Sequence, residues 1–124
     1  MTIFDKARYF ATAAHAAVGQ KRKYDGSDYI VHPARVANTV KRYGGTDTMI
    51  AAAWLHDVVE DTNVDMDTIT GMFGSVVASL VRDLTDVSVA SDGNREARKA
   101  IDRLHTADAS ADAQFIKCAD IIDN

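Results

Sequence analysis

Six consecutive residues, His56-Asp57-Val58-Val59-Glu60-Asp61, place an imidazole and three carboxylates directly after the apolar run Met49-Ile50-Ala51-Ala52-Ala53-Trp54-Leu55. Ionisable groups at the end of so apolar a segment are costly to take out of water unless something compensates their charge. Continued as helix, the spacing sets His56 one turn from Glu60 and Asp57 one turn from Asp61. Adjacent helical residues differ by about 100°, so His56 and Asp57 both lean toward one point. A divalent cation held there, with Glu60 and Asp61 further along the same wall, accounts for the pattern. A solvated helix end with a capping cluster is the alternative, and the apolar run that leads into it favours the cation.

A cation needs further ligands. The remaining histidines are His15, His32 and His105. His32 precedes Pro33, which biases its backbone to an extended conformation at a helix entrance, a rigid place for a ring that is either a ligand or a packed side chain. His15 falls beside the apolar stripe of a first helix and reads as packed and hydrogen-bonded, and His105, among Arg103, Thr106 and Asp108, reads as surface. Among the carboxylates, Asp120 follows Phe115, Ile116, Cys118 and Ala119 and is the best remote candidate, whereas Asp123 is less sheltered.

The elements that must position these groups are helical. Phe4, Ala7, Phe10, Ala11 and Ala14 recur at the spacing of one buried helical stripe, which Gly19 ends. Residues 20–32 read as a loop with Asp25-Gly26-Ser27-Asp28 as turn residues. Pro33 suits the first turn of a second helix running through Val36, Ala37 and Val40 to Gly44-Gly45. Thr46 or Asp47 caps a third, apolar on every side and therefore buried. Asp65 caps a fourth ending near Gly74, and Ser75 to Leu84 forms a fifth. After a loop from Ser88 to Gly93 comes a charged sixth, Asn94 to about His105, and a last helix starts at Ala109 or Ser110. Strand signals are weak. The prediction is an all-α single domain over 1–124.

Composition sets the outer limits. A chain of 124 residues, 47% hydrophobic and 26% charged, is long enough for a core and ordinary for a globular protein. No run approaches the roughly 18 uninterrupted apolar residues of a membrane span. Fourteen Lys and Arg against eighteen Asp and Glu give a net charge of −4, which argues against nucleic acid as partner and leaves room for a small anion at a local cationic patch. The lone Cys118 reads as a small buried apolar residue and cannot form an internal disulfide, so a reducing compartment fits. No signal-peptide pattern opens the chain, and the cytoplasm is the expected location. Trp54 reads as core, and Lys41-Arg42 and the basic residues from Arg95 to Arg103 read as solvated helix faces.

The ordered set Tyr29-Ile30-Val31-His32-Pro33, then Leu55 to Thr62, then Lys117-Cys118-Ala119-Asp120 with Asn124 resembles the HD superfamily of metal-dependent phosphohydrolases. More narrowly it is similar to the hydrolase domain of RelA/SpoT proteins and to the small alarmone hydrolases, including the metazoan SpoT-like enzymes. Ala14-His15-Ala16, Gly19 to Lys23, Val36-Ala37, Phe73-Gly74 and Val81 to Thr85 extend the likeness over nearly the whole chain. The resemblance implies a helical bundle; such relatives continue past this point with further helices that close the nucleotide pocket, so the chain is either a truncated piece or a naturally minimal form. It implies His32, His56, Asp57 and Asp120 as metal ligands, Mn²⁺ as the ion, and Glu60 with Asp61 as the catalytic pair. Lys21, Arg22 and Lys23 match a segment that packs on guanine and meets phosphates, and Asn124 matches a residue near the ribose. The implied substrate is a guanine nucleotide, the alarmone guanosine 3′,5′-bis(diphosphate) or the pentaphosphate, cleaved to GDP or GTP and pyrophosphate, the chemistry of the stringent response. Ser27-Asp28 departs from the usual small residue and proline before the tyrosine, and Ala16-Ala17-Val18 lengthens the step from His15 to Gln20.

Two other readings keep much of this pattern. One is an HD phosphohydrolase acting on another nucleotide or dinucleotide, and the other a non-catalytic nucleotide-binding regulatory module, against which the intact Glu60 and Asp61 speak. Apolar Ile121 and Ile122 near the end leave room for a homo-oligomer.

Overall fold

The apolar run at Met49–Leu55 needs a starting point and a covering. The Thr46 hydroxyl supplies the first by accepting a hydrogen bond from Met49 N–H at 3.2 Å, satisfying one of the amides that open a helix without a partner. The covering comes from helices on several sides. The computed structural model describes residues 1–19 and 30–123, and these fold as α1 (Ile3–Ala17), α2 (Val31–Arg42), α3 (Asp47–Leu55), α4 (Val58–Asp61), α5 (Met66–Leu84), a 3-10 turn (Ala90–Asp92), α6 (Arg95–Ala107) and α7 (Ala111–Asp123). The fold is all-α, as predicted, with no strand among the described residues.

α3 is the central rod. It packs against α1, α2, α5 and α7, and Met49 to Ala53 and Leu55 are all buried, as a helix apolar on every side requires. Trp54 is half-buried against the same core. Fully enclosed side chains such as Leu55, Ile69 and Ile116 each contribute about 1.5–3 kcal/mol of hydrophobic stabilisation. α1 presents Ala7, Ala11 and His15 inward, with Phe4, Phe10 and Ala14 half-buried beside them. Phe10 meets Phe73 of α5 edge to face at 5.6 Å.

The helix boundaries differ from the sequence expectation at two places that matter for chemistry. α2 begins before Pro33, so His32 lies within its first turn and not in extended backbone. The first turn asks nothing of the proline nitrogen, and the pre-proline bias, which is steric, yields where the His32 ring is gripped from across the bundle by Asp120 and Asp123. Nor does the third helix run on through Asp61. It ends at Leu55, His56 and Asp57 form a turn, and α4 restarts at Val58. Asp57, with φ −105° and ψ 0°, departs from ideal helical angles, while Asp61 N–H still donates to Asp57 O at 3.0 Å and keeps those two residues one turn apart.

α7 buries Ala113, Ile116, Ala119 and Asp120. Cys118, expected inside, is exposed. Two residues along a helix turn the side chain about 200° from Ile116, which carries it to the opposite face.

Within α5 the chain breaks its helical path at Gly74, whose φ of 89° and ψ of 170° belong to a region that residues with a Cβ avoid. This divides α5 where the sequence predicted one helix to end and another to begin. Gly71, by contrast, sits on an exposed stretch of α5 where an added Cβ would meet nothing within 4 Å. Gly74→Ala is therefore expected to destabilise the protein by about 1–3 kcal/mol, and Gly71→Ala to stabilise it by about 0.4–1 kcal/mol. Urea midpoints measure both, and shifts of the same sign would contradict the backbone assignment at Gly74.

Candidate metal centre

Three separate helices each contribute to one buried point. His32 comes from the first turn of α2, His56 and Asp57 from the turn after α3, and Asp120 from the inward face of α7. His32 and His56 are 4% and 3% exposed and Asp120 7%. His32 Nε2 lies 2.7 Å from Asp120 Oδ1 and 3.9 Å from Asp57 Oδ2. His56 Nε2 lies 3.0 Å from Asp57 Oδ2 and 3.4 Å from Asp120 Oδ1. The two rings meet at 5.3 Å between centroids, and ligand atoms of His32, His56 and Asp57 all fall within 4.8 Å of one another. All four residues singled out as ligands are thus brought together from positions as far as 88 residues apart.

Their hydrogen bonds fix what faces inward. His56 Nδ1 lies 2.7 Å from Ala53 O. A carbonyl oxygen only accepts, so Nδ1 carries the proton, and in a neutral ring Nε2 is a bare lone pair. That lone pair is buried without a well-formed hydrogen bond, facing two carboxylate oxygens. Such an arrangement is repulsive unless a positive charge stands among the groups. A proton is one solution: burial alone would lower the His56 pKa, but hydrogen bonds to Asp120 and Asp57 and their negative charges push it up to about 10. His32 is raised likewise, burial being outweighed by hydrogen bonds to Asp120 and Asp123. Asp120 is held well below the usual carboxylate range, because His32, His56 and Lys117 outweigh its burial. A divalent cation is the other solution, and it displaces such protons when it binds. Two imidazole nitrogens and two carboxylate oxygens fit a borderline-to-hard ion, so the donor set and the orphaned Nε2 both suit a metal.

Glu60 and Asp61 close α4 beside this point. The Glu60 carboxylate accepts a hydrogen bond from Asp86 N–H just beyond α5. Although the residue as a whole is exposed, the carboxyl group is partly desolvated. That desolvation, together with the charges of Asp86, Asp57 and Asp61 and against the lowering effect of the Asp86 amide, pushes it up to about 7. Asp61 is exposed. Lys117, one turn before Asp120 on α7, reaches its Oδ2 at 3.2 Å.

Beside the cluster lies an open cavity of about 610 Å³, with Asp86 and Lys117 on the walls nearest the cluster and Lys99 and Arg103 contributed by α6. Two of the basic residues of α6, Lys99 and Arg103, expected simply to face solvent, therefore line a concavity next to the acidic centre. Lys21, Arg22, Lys23 and Asn124, the residues matched to nucleotide contacts, lie outside the described residues. His15 is buried on the inner face of α1. His105 is half-buried, and its Nε2 lies 3.0 Å from Arg82 O. Sequence reasoning assigns no role at the centre to three contributors. Lys117 and Asp86 become relevant only through their neighbours in space. Asp123 gave a signal in its spacing, one helical turn from Asp120 on the same face of α7.

The family profile for the HD domain matches residues 7–117. A probable guanosine-3′,5′-bis(diphosphate) 3′-pyrophosphohydrolase of Synechocystis is 45% identical over 83 residues, covering 67% of this chain and 10% of the relative. The guanosine-3′,5′-bis(diphosphate) 3′-pyrophosphohydrolase MESH1 of Xenopus tropicalis is 36% identical over 123 residues, covering 96% of this chain and 65% of the relative. A solved structure of a metazoan ortholog of SpoT, described as hydrolysing ppGpp, superposes with a TM-score of 0.86 at 31% identity, covering 100% of this chain and 68% of the other. The chain thus spans between a tenth and about two thirds of the length of these curated relatives.

Removing either member of the His56–Asp57 turn takes away one of four donors and weakens the hold on an ion, whereas the Glu60 carboxylate is engaged by the Asp86 amide. His56→Ala and Asp57→Ala are expected to lose stoichiometric Mn²⁺ uptake and Glu60→Ala to keep it. Elemental analysis of the dialysed proteins reads the difference, and a metal-free Glu60→Ala protein would move Glu60 into the ligand set.

Proposed function

This chain belongs to the HD-domain family, and from that premise we propose that residues 1–124 act as one metal-dependent phosphohydrolase domain that cleaves guanosine 3′,5′-bis(diphosphate) to GDP and pyrophosphate. The observation that carries the reading is the convergence of two imidazole nitrogens and two carboxylate oxygens on one buried point. The relatives named for this hydrolysis supply the substrate.

In this reading His32, His56, Asp57 and Asp120 hold the ion, with Mn²⁺ as the proposed metal. A divalent cation there supplies Lewis acidity, acidifying water and drawing charge from phosphoryl oxygens. Glu60 works beside it. A carboxyl group titrating near 7 is poised at neutral pH to take a proton from water and pass it on, and Asp61 helps to orient that water. The water oxygen joins the phosphorus attached to the ribose 3′ oxygen. The bond between them breaks, the proton held by Glu60 passes to the 3′ oxygen, and GDP and pyrophosphate leave. Lys21, Arg22 and Lys23 engage guanine and phosphates, Asn124 the ribose, and the cavity cations Lys99, Arg103 and Lys117 offset charge on the diphosphates. Through these local cations a chain of net charge −4 attracts a polyanion. A cytoplasmic location and self-association through the exposed Ile121 and Ile122 complete the proposal. No helix among the described residues is long and apolar enough to cross a membrane.

Incubation with Mn²⁺ and guanosine 3′,5′-bis(diphosphate) is expected to release pyrophosphate and GDP, identified by chromatography. A protein that binds Mn²⁺ yet releases pyrophosphate only from other nucleotides would shift the reading to a different HD phosphohydrolase, and one inert toward all of them to a binding module. Glu60→Gln should lower kcat by roughly 10²–10⁴-fold. Because the base must be ionised, kcat/KM should rise with pH through about 7, in place of the 4.5 ordinary for glutamate. That ascending limb should vanish in Glu60→Gln.

A further inference from the structure

His32 is held on both sides. Its Nε2 faces Asp120 Oδ1 at 2.7 Å, while its other nitrogen, Nδ1, lies 2.5 Å from Asp123 Oδ2. Asp120 and Asp123 are one turn apart on α7 and present their carboxylates to the same ring. The Asp123 side chain is only 13% exposed. The well-exposed Arg35 approaches the same carboxylate with Nη1 at 3.9 Å, a separation and exposure that make this pair weak. The carboxylates also approach the first turn of α2, whose N-cap residue Ile30 makes no side-chain cap, and negative charge is favourable at that helix end.

We propose that Asp123 is a positioning residue for the metal centre: its carboxylate holds the proton of His32 on Nδ1 and turns Nε2 toward the ion. This inference rests on the metal-centre reading for its purpose, but the orientation itself does not depend on the ion. A carboxylate that accepts the far N–H of a ligating histidine fixes the ring's tautomer and angle and raises the basicity of the coordinating nitrogen. Asp123 thereby decides which His32 nitrogen can serve as a donor. The residue types match this task, because Asp123 can only accept and His32 has one nitrogen for each neighbour.

The test compares wild type, Asp123→Asn and Asp123→Ala. In Asp123→Ala the Mn²⁺ dissociation constant, read from free Mn²⁺ by electron paramagnetic resonance, should rise about 10–100-fold. Asp123→Asn retains a neutral acceptor and should recover part of that loss. Proton NMR of ¹⁵N-labelled, metal-free protein gives the readout that a merely structural role would not move. The His32 Nδ1–H resonance should lie far downfield in wild type, move upfield in Asp123→Asn and disappear into exchange in Asp123→Ala. An Mn²⁺ constant within twofold of wild type and an unmoved ring proton would overturn the proposal. Should Asp123→Ala fail to fold, the resonance in Asp123→Asn decides alone. Wild-type protein that takes up no Mn²⁺ would remove the metal-centre reading, and the ring-proton comparison would still decide whether Asp123 orients His32.

Discussion

Lone pairs cannot share a small dry space without a positive charge among them. That constraint governs this molecule. His56 Nε2, His32 Nε2, Asp57 Oδ2 and Asp120 Oδ1 are all aimed at one point, and three of the four residues are nearly withdrawn from solvent. The surrounding structure keeps them there. α3 is apolar all round and enclosed by four other helices, so the turn that ends it has no freedom to swing His56 outward. The Ala53 carbonyl then fixes which nitrogen of that ring looks inward. Buried groups of this kind are tolerable only when their charges are balanced, and the balance must come from a proton or from a cation.

Charge changes sign across a short distance. At the centre the protein offers oxygen and nitrogen donors. At the rim Lys117 ties back to Asp120, and Lys99 and Arg103 line the adjoining concavity. Glu60 lies between the two zones. Its carboxylate accepts from the Asp86 amide, and Asp86 itself lines the cavity. Desolvation, and separately the negative charges of Asp86, Asp57 and Asp61, push the Glu60 pKa up to about 7. An acidic interior with a basic edge suits a ligand whose phosphates remain at the rim while one phosphorus approaches the centre.

Much of this was legible in the sequence, and the reasons are local. The apolar run before His56 marked a buried helix, and a histidine and three acids immediately after it could not be a neutral accident of composition. Gly74, Asp65 and Asn94 announced helix boundaries through turn and cap chemistry that depends on neighbours a few residues away. What escaped is non-local. The residue before a proline favours extended backbone, but the partners of the His32 ring on α7 prevail. Cys118 sat in an apolar stretch, yet helical phase turned it to solvent. Asp123 looked unsheltered beside polar neighbours in the chain because its shelter is His32, 91 positions away. The third helix stops at Leu55 and a turn at His56 and Asp57 precedes α4, a break that the apolar run does not announce.

The distance in sequence between the donors has a mechanical consequence. α2 and α7 are joined by carboxylate–imidazole contacts that bridge 88 and 91 positions, and an ion seated between His32 and Asp120 would act as a reversible cross-link closing a loop of 88 positions. Such a clasp binds only the folded form, and at a concentration a hundredfold above its dissociation constant it adds about 2.7 kcal/mol to stability. The same atoms that would prepare water for attack would then also hold the last helix to the second, so that loss of the ion slackens the architecture as well as the chemistry.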